Sequence, residues 1–379
     1  MTAATPDTSP TAGCAEADDT PKAHGACVLD GLSIDSYSLE LKHPDGWLGD
    51  QASQGAFREL LDQWRERLEH AGRDPLGPTP TEDLDKEALD AIARSGATPA
   101  ARTVALAIGE FAGPLQYVIE HFLQQQAWRG VSHIAIGGGF KESLVGRIAI
   151  RQTAQRLAEA GVNVVLQPIA HAADDAGLIG WAELMPPLAR RPVASTGTMP
   201  AILAVDIGGT NVRCGIVGFD PAGSLDSAHV VHREKWCHDA DGPDQAELVD
   251  GIVEMLQKLE AHARQQHITL APFIGVACPG IICADGSIDR GAQNLPGDWH
   301  GDAFHLPRSL CERLPTLGGE STVVRMHNDA VVQGLSEWPR LRHVPHWAVL
   351  TIGTGLGNAS FSTRPPGAPA PGRRGCAAA

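Results

Sequence analysis

Two short glycine-rich strings carry the most legible chemistry in this chain: Asp206-Ile207-Gly208-Gly209-Thr210-Asn211 and Gly353-Thr354-Gly355-Leu356-Gly357. Each follows an apolar run (Ala201 to Val205; Trp347 to Ile352) and leads into another extended stretch. Glycine lets the backbone approach phosphate oxygens closely, so successive N–H groups can form an anion-binding concavity. Two such strand-turn-strand units imply two facing lobes that grip a polyphosphate between them. Asp206, at the end of the first strand, is placed to hold a hydrated Mg²⁺ beside those phosphates. Either string alone also reads as a tight turn with no ligand; the pairing makes them informative.

A third position completes a reaction. Moving a phosphoryl group to a hydroxyl needs a base for the hydroxyl proton, a metal to neutralise phosphate charge, and donors that fix the geometry. Asp329 follows an apolar strand and begins a helix, a position that by itself reads with Asn328 as a plain helix cap or as a candidate base. Gly137-Gly138-Gly139 follows another apolar strand and offers space for a nucleotide base and ribose, or is an ordinary strand-to-helix turn.

The elements that must hold these residues are readable as well. Strands are expected at about 201–206, 212–219 and 229–235, then a helix at about 244–266 with an apolar stripe of Leu248, Val249, Ile252, Val253, Leu256 and Leu259. A strand at 273–277, a hairpin near 284–286, a helix near 303–314, a strand at 323–326 and a helix at 329–338 complete one α/β half. A second half starts at 348–352, and its remainder lies ahead of residue 185. There 28–42 is extended, 100–128 is a long helix, 132–136 and 162–166 are strands, and 142–160 and 175–184 are helices. Residues 185–200, rich in Pro, Ala and Arg, read as a linker. Residues 1–25 and 362–379 read as disordered, the latter with the composition of a GC-rich frame read out of phase.

Composition excludes several classes. With 379 residues and 43% hydrophobic content, two domains can bury real cores. The net charge of −15 argues against binding a nucleic-acid backbone. No apolar run is long enough to span a bilayer, and the N-terminus lacks a secretory pattern, so a cytoplasmic location is expected. The eight cysteines lack a paired Cys-x-x-Cys and read as reduced thiols.

These residues resemble the ROK family of sugar kinases and regulators, within the sugar kinase/actin/Hsp70 superfamily. The matching pieces are Leu203 to Asn211, Gly275 to Gly280, Asn294 to Gly297 with Trp299, Asn328 to Ala330, Gly353 to Gly357, Ile136 to Gly139 and Asp175 to Gly180. In that family the last two pieces come after the second glycine turn. Here they come first, so the chain resembles a circular permutant whose family order starts near Ala201 and ends near Leu184. Glu40-Leu41-Lys42-His43 resembles the family's Glu-Leu-Gly-His sugar clamp, with Lys42 in place of Gly. The family's Cys-rich zinc motif is absent, and no basic helix-turn-helix precedes the kinase-like region.

The resemblance implies a two-lobed α/β protein of the ribonuclease H-like class, with the segment order rotated. The larger lobe would be built from 26–184 and 341–361 and the smaller from 201–340. It implies Asp329 as catalytic base, Asp206 near Mg²⁺ through water, and Gly208, Gly209, Thr210, Asn211, Gly353, Thr354, Gly355 and Gly357 on phosphate. Gly137, Gly138 and Gly139 would hold nucleotide, and Asn294, Asn328, Asp329, Glu40 and His43 the sugar. The expected activity is transfer of a phosphoryl group from ATP or polyphosphate to a hexose, glucose O6 first among them. A homodimer fits the family. A catalytically weak sugar-binding regulator is the alternative, and an assembly ATPase of the actin or Hsp70 kind the third.

Overall fold

A computed structural model describes residues 24–44, 46–69, 72–300 and 304–365. The disorder expected over 1–23 and 366–379 lies outside these residues. The strands used below are β1 Leu32–Tyr37, β2 His133–Gly137, β3 Val165–Pro168, β4 Ala201–Ile207, β5 Val212–Gly218, β6 His229–Trp236, β7 Leu270–Cys278, β8 Val323–Asn328, β9 His346–Ile352 and β10 Leu356–Thr363. The helices used below are α1 Pro99–Leu123, α2 Leu144–Glu159, α3 Ala173–Ile179, α4 Gln245–Gln265 and α5 Asp329–Leu335.

Every residue of β4 is buried, and all but Asp206 are apolar. Such a strand needs cover on both faces and belongs at a sheet centre. It lies there: the small-lobe sheet has the order β8-β7-β4-β5-β6. β5 and β6 run antiparallel on one side, while β7 and β8 run parallel on the other. The large-lobe sheet repeats this plan around β9. Its order is β1-β10-β9-β2-β3, with Val28–Leu29 added beyond β1. β10 and β1 are antiparallel on one side of β9, and β2 and β3 are parallel on the other. Two sheets, each with a central strand, two antiparallel followers and two parallel ones, define the two-lobed ribonuclease H-like architecture. In the small lobe the five strands follow one another along the chain. In the large lobe the first two are β9 and β10, and the other three come from the N-terminal part.

Three apolar cores result. One lies under α4 on the small-lobe sheet, and another lies between the large-lobe sheet and α1 and α2. The third is shared: Ile202, Ala204 and Phe273 of the small-lobe sheet join Val349, Trp347 and Phe361 of the large-lobe sheet, around α3 and α5. This shared core makes α3 and α5 the pins of the lobe junction. At their crossing the backbones nearly touch, for a Cβ on Gly180 would stand 1.8 Å from the Val332 carbonyl oxygen.

Four expectations need correction. The supposed linker carries a short 3₁₀ turn, Pro187–Arg190, and buries Met185 and Ala189 in the shared core. Apolar contacts outweigh its Pro-rich composition. The N-terminal stretch is ordered from His24, because His24 Nδ1 accepts from the Met326 N–H (3.0 Å) and the Gly25 N–H reaches the Met326 carbonyl (3.0 Å). At the other end β10 continues to Thr363, paired with β1, so order extends into the stretch from 362 whose composition predicts disorder. Cys27 and Cys311 each belong to a disulfide, against the reading of reduced thiols, while Cys214, Cys237, Cys278 and Cys283 are free.

Candidate active site

Three parallel strands of the small lobe end together. In register, Ala277 of β7 sits beside Asp206 of β4, and Cys278 sits beside Asn328 of β8. Asp206 and Asp329 therefore emerge at the carboxyl edge of one sheet, where open α/β sheets collect ligands. The half-buried Asp329 opens α5. Burial first, then the Asp206 charge, raise its pKa from 3.8 to about 6, opposed by the amides at the helix start and the Asn328 side chain. A carboxylate poised there suits proton abstraction near neutral pH.

Asp206 is only 3% exposed. Burial raises its pKa, the Arg213 guanidinium 3.3 Å away pulls it down, and Asp174 adds to the rise. Asn328 is committed structurally. Its Oδ1 accepts from Ala330 N (3.0 Å) and Val331 N (3.2 Å), while its Nδ2 donates to Ser38 Oγ (3.0 Å) and the Gly280 carbonyl (3.1 Å). Expected on the sugar, Asn328 instead caps α5 and ties it to the N-terminal segment. That tie brings segments 290 positions apart to one place, since Ser38 stands two residues before Glu40.

The two glycine turns meet. Thr210 Oγ1 and Thr354 Oγ1 are 3.0 Å apart, one from each lobe. Gly208 closes its turn on the Asn211 carbonyl (2.9 Å), and His238 Nε2 bonds the Gly208 carbonyl (2.8 Å) from behind. Gly353 donates to the Gly355 carbonyl (2.9 Å). Gly357 lies over the start of α5, where an added Cβ would come 3.2 Å from Ala330 Cβ. Asn294 is exposed beside Gly209, whose added Cβ would meet Asn294 Cβ at 3.2 Å. Trp299 Nε1 donates to the Pro296 carbonyl (2.6 Å) and steadies that loop.

Gly137 pairs with Thr351 at the carboxyl edge of the large-lobe sheet. Gly138 has φ +77° and packs on β9 so closely that a Cβ would fall 2.4 Å from the Ile352 carbonyl oxygen. Only glycine meets both demands. Its N–H reaches Gln333 Oε1 of α5 at 3.3 Å. Gly139 faces Lys86, whose Nζ an added Cβ would meet at 2.8 Å.

The expected sugar clamp divides. The backbone just before Glu40 is held by Asn358 of β10, through Leu39 N to Oδ1 (3.0 Å) and Nδ2 to Leu39 O (3.1 Å), and Glu40 itself is exposed. His43 sits in a two-residue ladder, bonded to Gln51 Nε2 (2.9 Å), with its ring edge-on to Tyr117. Lys42 points its Nζ over Trp47. Ser38, Arg213, His238 and Gln333 were missed in the sequence because each acts through a tertiary bond that no local pattern announces.

The residues suit a divalent cation in kind but not in number. Among the described residues no group of three or more His, Cys, Asp or Glu could hold a metal. A cation beside Asp206 would draw its oxygens from phosphate and water, as Mg²⁺ does.

Comparison with known proteins adds a partial likeness. No family model matches the chain. A glucokinase of Thermotoga maritima is 27% identical over 156 residues, covering 41% of this chain and 43% of its own length. The chain thus spans less than half the length of this relative. Among solved structures, a candidate sugar kinase from Cytophaga hutchinsonii aligns at 20% identity and TM-score 0.33, covering 47% of this chain and 52% of its own. A candidate N-acetylmannosamine kinase from Listeria monocytogenes aligns at 23% and 0.31, covering 43% and 47%. Overlaps this partial carry no argument, and the fold rests on the strand order above. No described helix is long and apolar enough to cross a membrane.

Proposed function

We propose that this chain is a sugar kinase that moves a terminal phosphoryl group from ATP or polyphosphate to a hexose hydroxyl, glucose O6 first among candidates. The observation that carries it is the convergence of Asp329 with two glycine turns from opposite lobes, in hydrogen-bond contact through Thr210 and Thr354. Asp329 takes the hydroxyl proton as the oxygen attacks. The N–H groups of Gly208 to Asn211 and Gly353 to Gly357 cradle the transferred and departing phosphates. Asp206 would hold Mg²⁺ through water, and the ion would supply charge neutralisation. Glu40 and Asn294 bind sugar hydroxyls from opposite lobes, and Gly137 to Gly139 receive the nucleotide. Closure of the lobes excludes water and limits hydrolysis of the donor.

The same reading treats the chain as a circular permutant of a ROK-type kinase. The strand plan supports it: the large-lobe sheet has the small-lobe order only if β9 and β10 are counted before β1. A cytoplasmic, dimeric enzyme fits this reading. A sugar-binding regulator is the second reading, favoured by the engagement of His43 with Gln51 and by Lys42 in the clamp.

A coupled assay of a hexose panel, with ATP and then polyphosphate, tests the proposal. Sugar-dependent turnover is expected; sugar binding without turnover favours the regulator, and ATP hydrolysis indifferent to sugar rejects both. Thr354→Ala should raise the KM for the donor about tenfold, the scale of one hydrogen bond to a charged group. The KM for the sugar should stay within twofold, and an unchanged donor KM removes this turn from the phosphate site.

A further inference from the structure

Asp206 is enclosed on two sides before any ligand arrives. Gly177 of α3 lies flat against its carboxyl group, so that an added Cβ would be 2.6 Å from Cγ and 2.8 Å from each oxygen. Arg213, its partner across the β4–β5 ladder, offers Nη1 at 3.3 Å. Arg213 is held by a second anchor, as its Nε donates to Asp174 Oδ1 of α3 at 2.5 Å. Asp174 also receives Lys235 Nζ at 3.0 Å and Arg233 at 3.7 Å, and Arg233 pairs with Asp175. Three cations of β5 and β6 thus face three carboxylates, and only Arg213 touches Asp206.

A buried carboxylate demands a counter-charge, and a guanidinium supplies one permanently because it does not lose its proton in proteins. The cost is that one face of Asp206 is closed to any other cation. We propose that Arg213 is a positioning residue that keeps a divalent cation off direct coordination by Asp206, so the ion meets this carboxylate through water. Asp174 sets how firmly Arg213 does so: by sharing the guanidinium, it leaves Asp206 partly open to the metal's water shell. Because Asp174 belongs to the helix that pins the lobe junction, metal binding is coupled to lobe position. This inference rests on the kinase reading.

The test uses Mn²⁺ with ADP, and separately with tripolyphosphate, titrated into the full chain. Electron paramagnetic resonance counts bound ion, and water-proton relaxation counts the waters it keeps. Arg213→Met should bind Mn²⁺ roughly tenfold tighter with fewer waters, since a repelling unit charge is gone. Arg213→Lys, which keeps the charge, should stay near wild type. Asp174→Asn should bind several-fold weaker, because Arg213 then rests wholly on Asp206, and it serves if Arg213→Met fails to fold. Equal affinity and equal hydration across wild type and variants overturn this inference and leave the kinase reading standing. Failure of the wild type to bind Mn²⁺ with either phosphate overturns both.

Discussion

Replacing Asp329 by Asn should cut turnover by ~10²–10⁴-fold, the usual worth of a general base, with little change in sugar affinity. The substitution keeps shape and removes the acceptor for the hydroxyl proton. The wild-type rate should climb with pH and level off above about 6, where the carboxyl group is ionised, and the variant's residual rate should lose that step. Stability should move the other way. The folded pKa of Asp329 lies above the ordinary 3.8, so its contribution to stability is fully present below 3.8 and lost as pH rises through about 6. Asp329→Asn carries no such penalty. It should unfold at equal or higher urea than wild type at pH 8, and the gap should close below pH 4. A variant with normal turnover would return Asp329 to the role of helix start alone.

The second large effect belongs to the lobe junction. Gly180→Ala places a methyl 1.8 Å from a backbone oxygen of α5 and 2.7 Å from its carbon, atoms that no rotamer change can move. Either α3 and α5 separate or the shared core opens. Overpacking of this kind costs ~1–3 kcal/mol, and backbone contacts put this site at the upper end. The urea midpoint should fall accordingly, and turnover should fall with it, because α5 carries Asp329 at its head and Gln333 beneath Gly138. Gly177→Ala separates the two consequences. Its methyl would strike the Asp206 carboxyl group rather than backbone, so activity should suffer more than stability. Unchanged melting of Gly180→Ala would mean that the helices are not packed as closely as described.

Much of this arrangement is present in local pattern. The apolar run ending in Asp206, the stripe from Leu248 to Leu259 and the glycines after each strand identify the elements to within a few residues, because burial and backbone geometry act over short spans. Asp329 was visible for the same reason: a carboxylate between a strand and a helix is a local feature. Other elements shortened when folded. The helix read at 175–184 breaks into α3 and a short turn at Trp181–Leu184, and the one read to 338 ends at Leu335. Boundaries depend on the crossing at Gly180, which a one-dimensional pattern does not contain.

Residue types and their spacing determined that this protein has glycine turns after buried strands and an acid at the head of a helix. Those follow from backbone sterics and periodic burial, which act between near neighbours. Only the tertiary structure decided that Thr210 meets Thr354, that Ser38 reaches Asn328 across 290 positions of chain, and that Arg213 divides its charge between Asp206 and Asp174. Each of those joins groups distant in sequence. Packing of α3 and α5 between the two sheets fixes such pairs, because a close-packed shared apolar core restricts the mutual placement of the lobes.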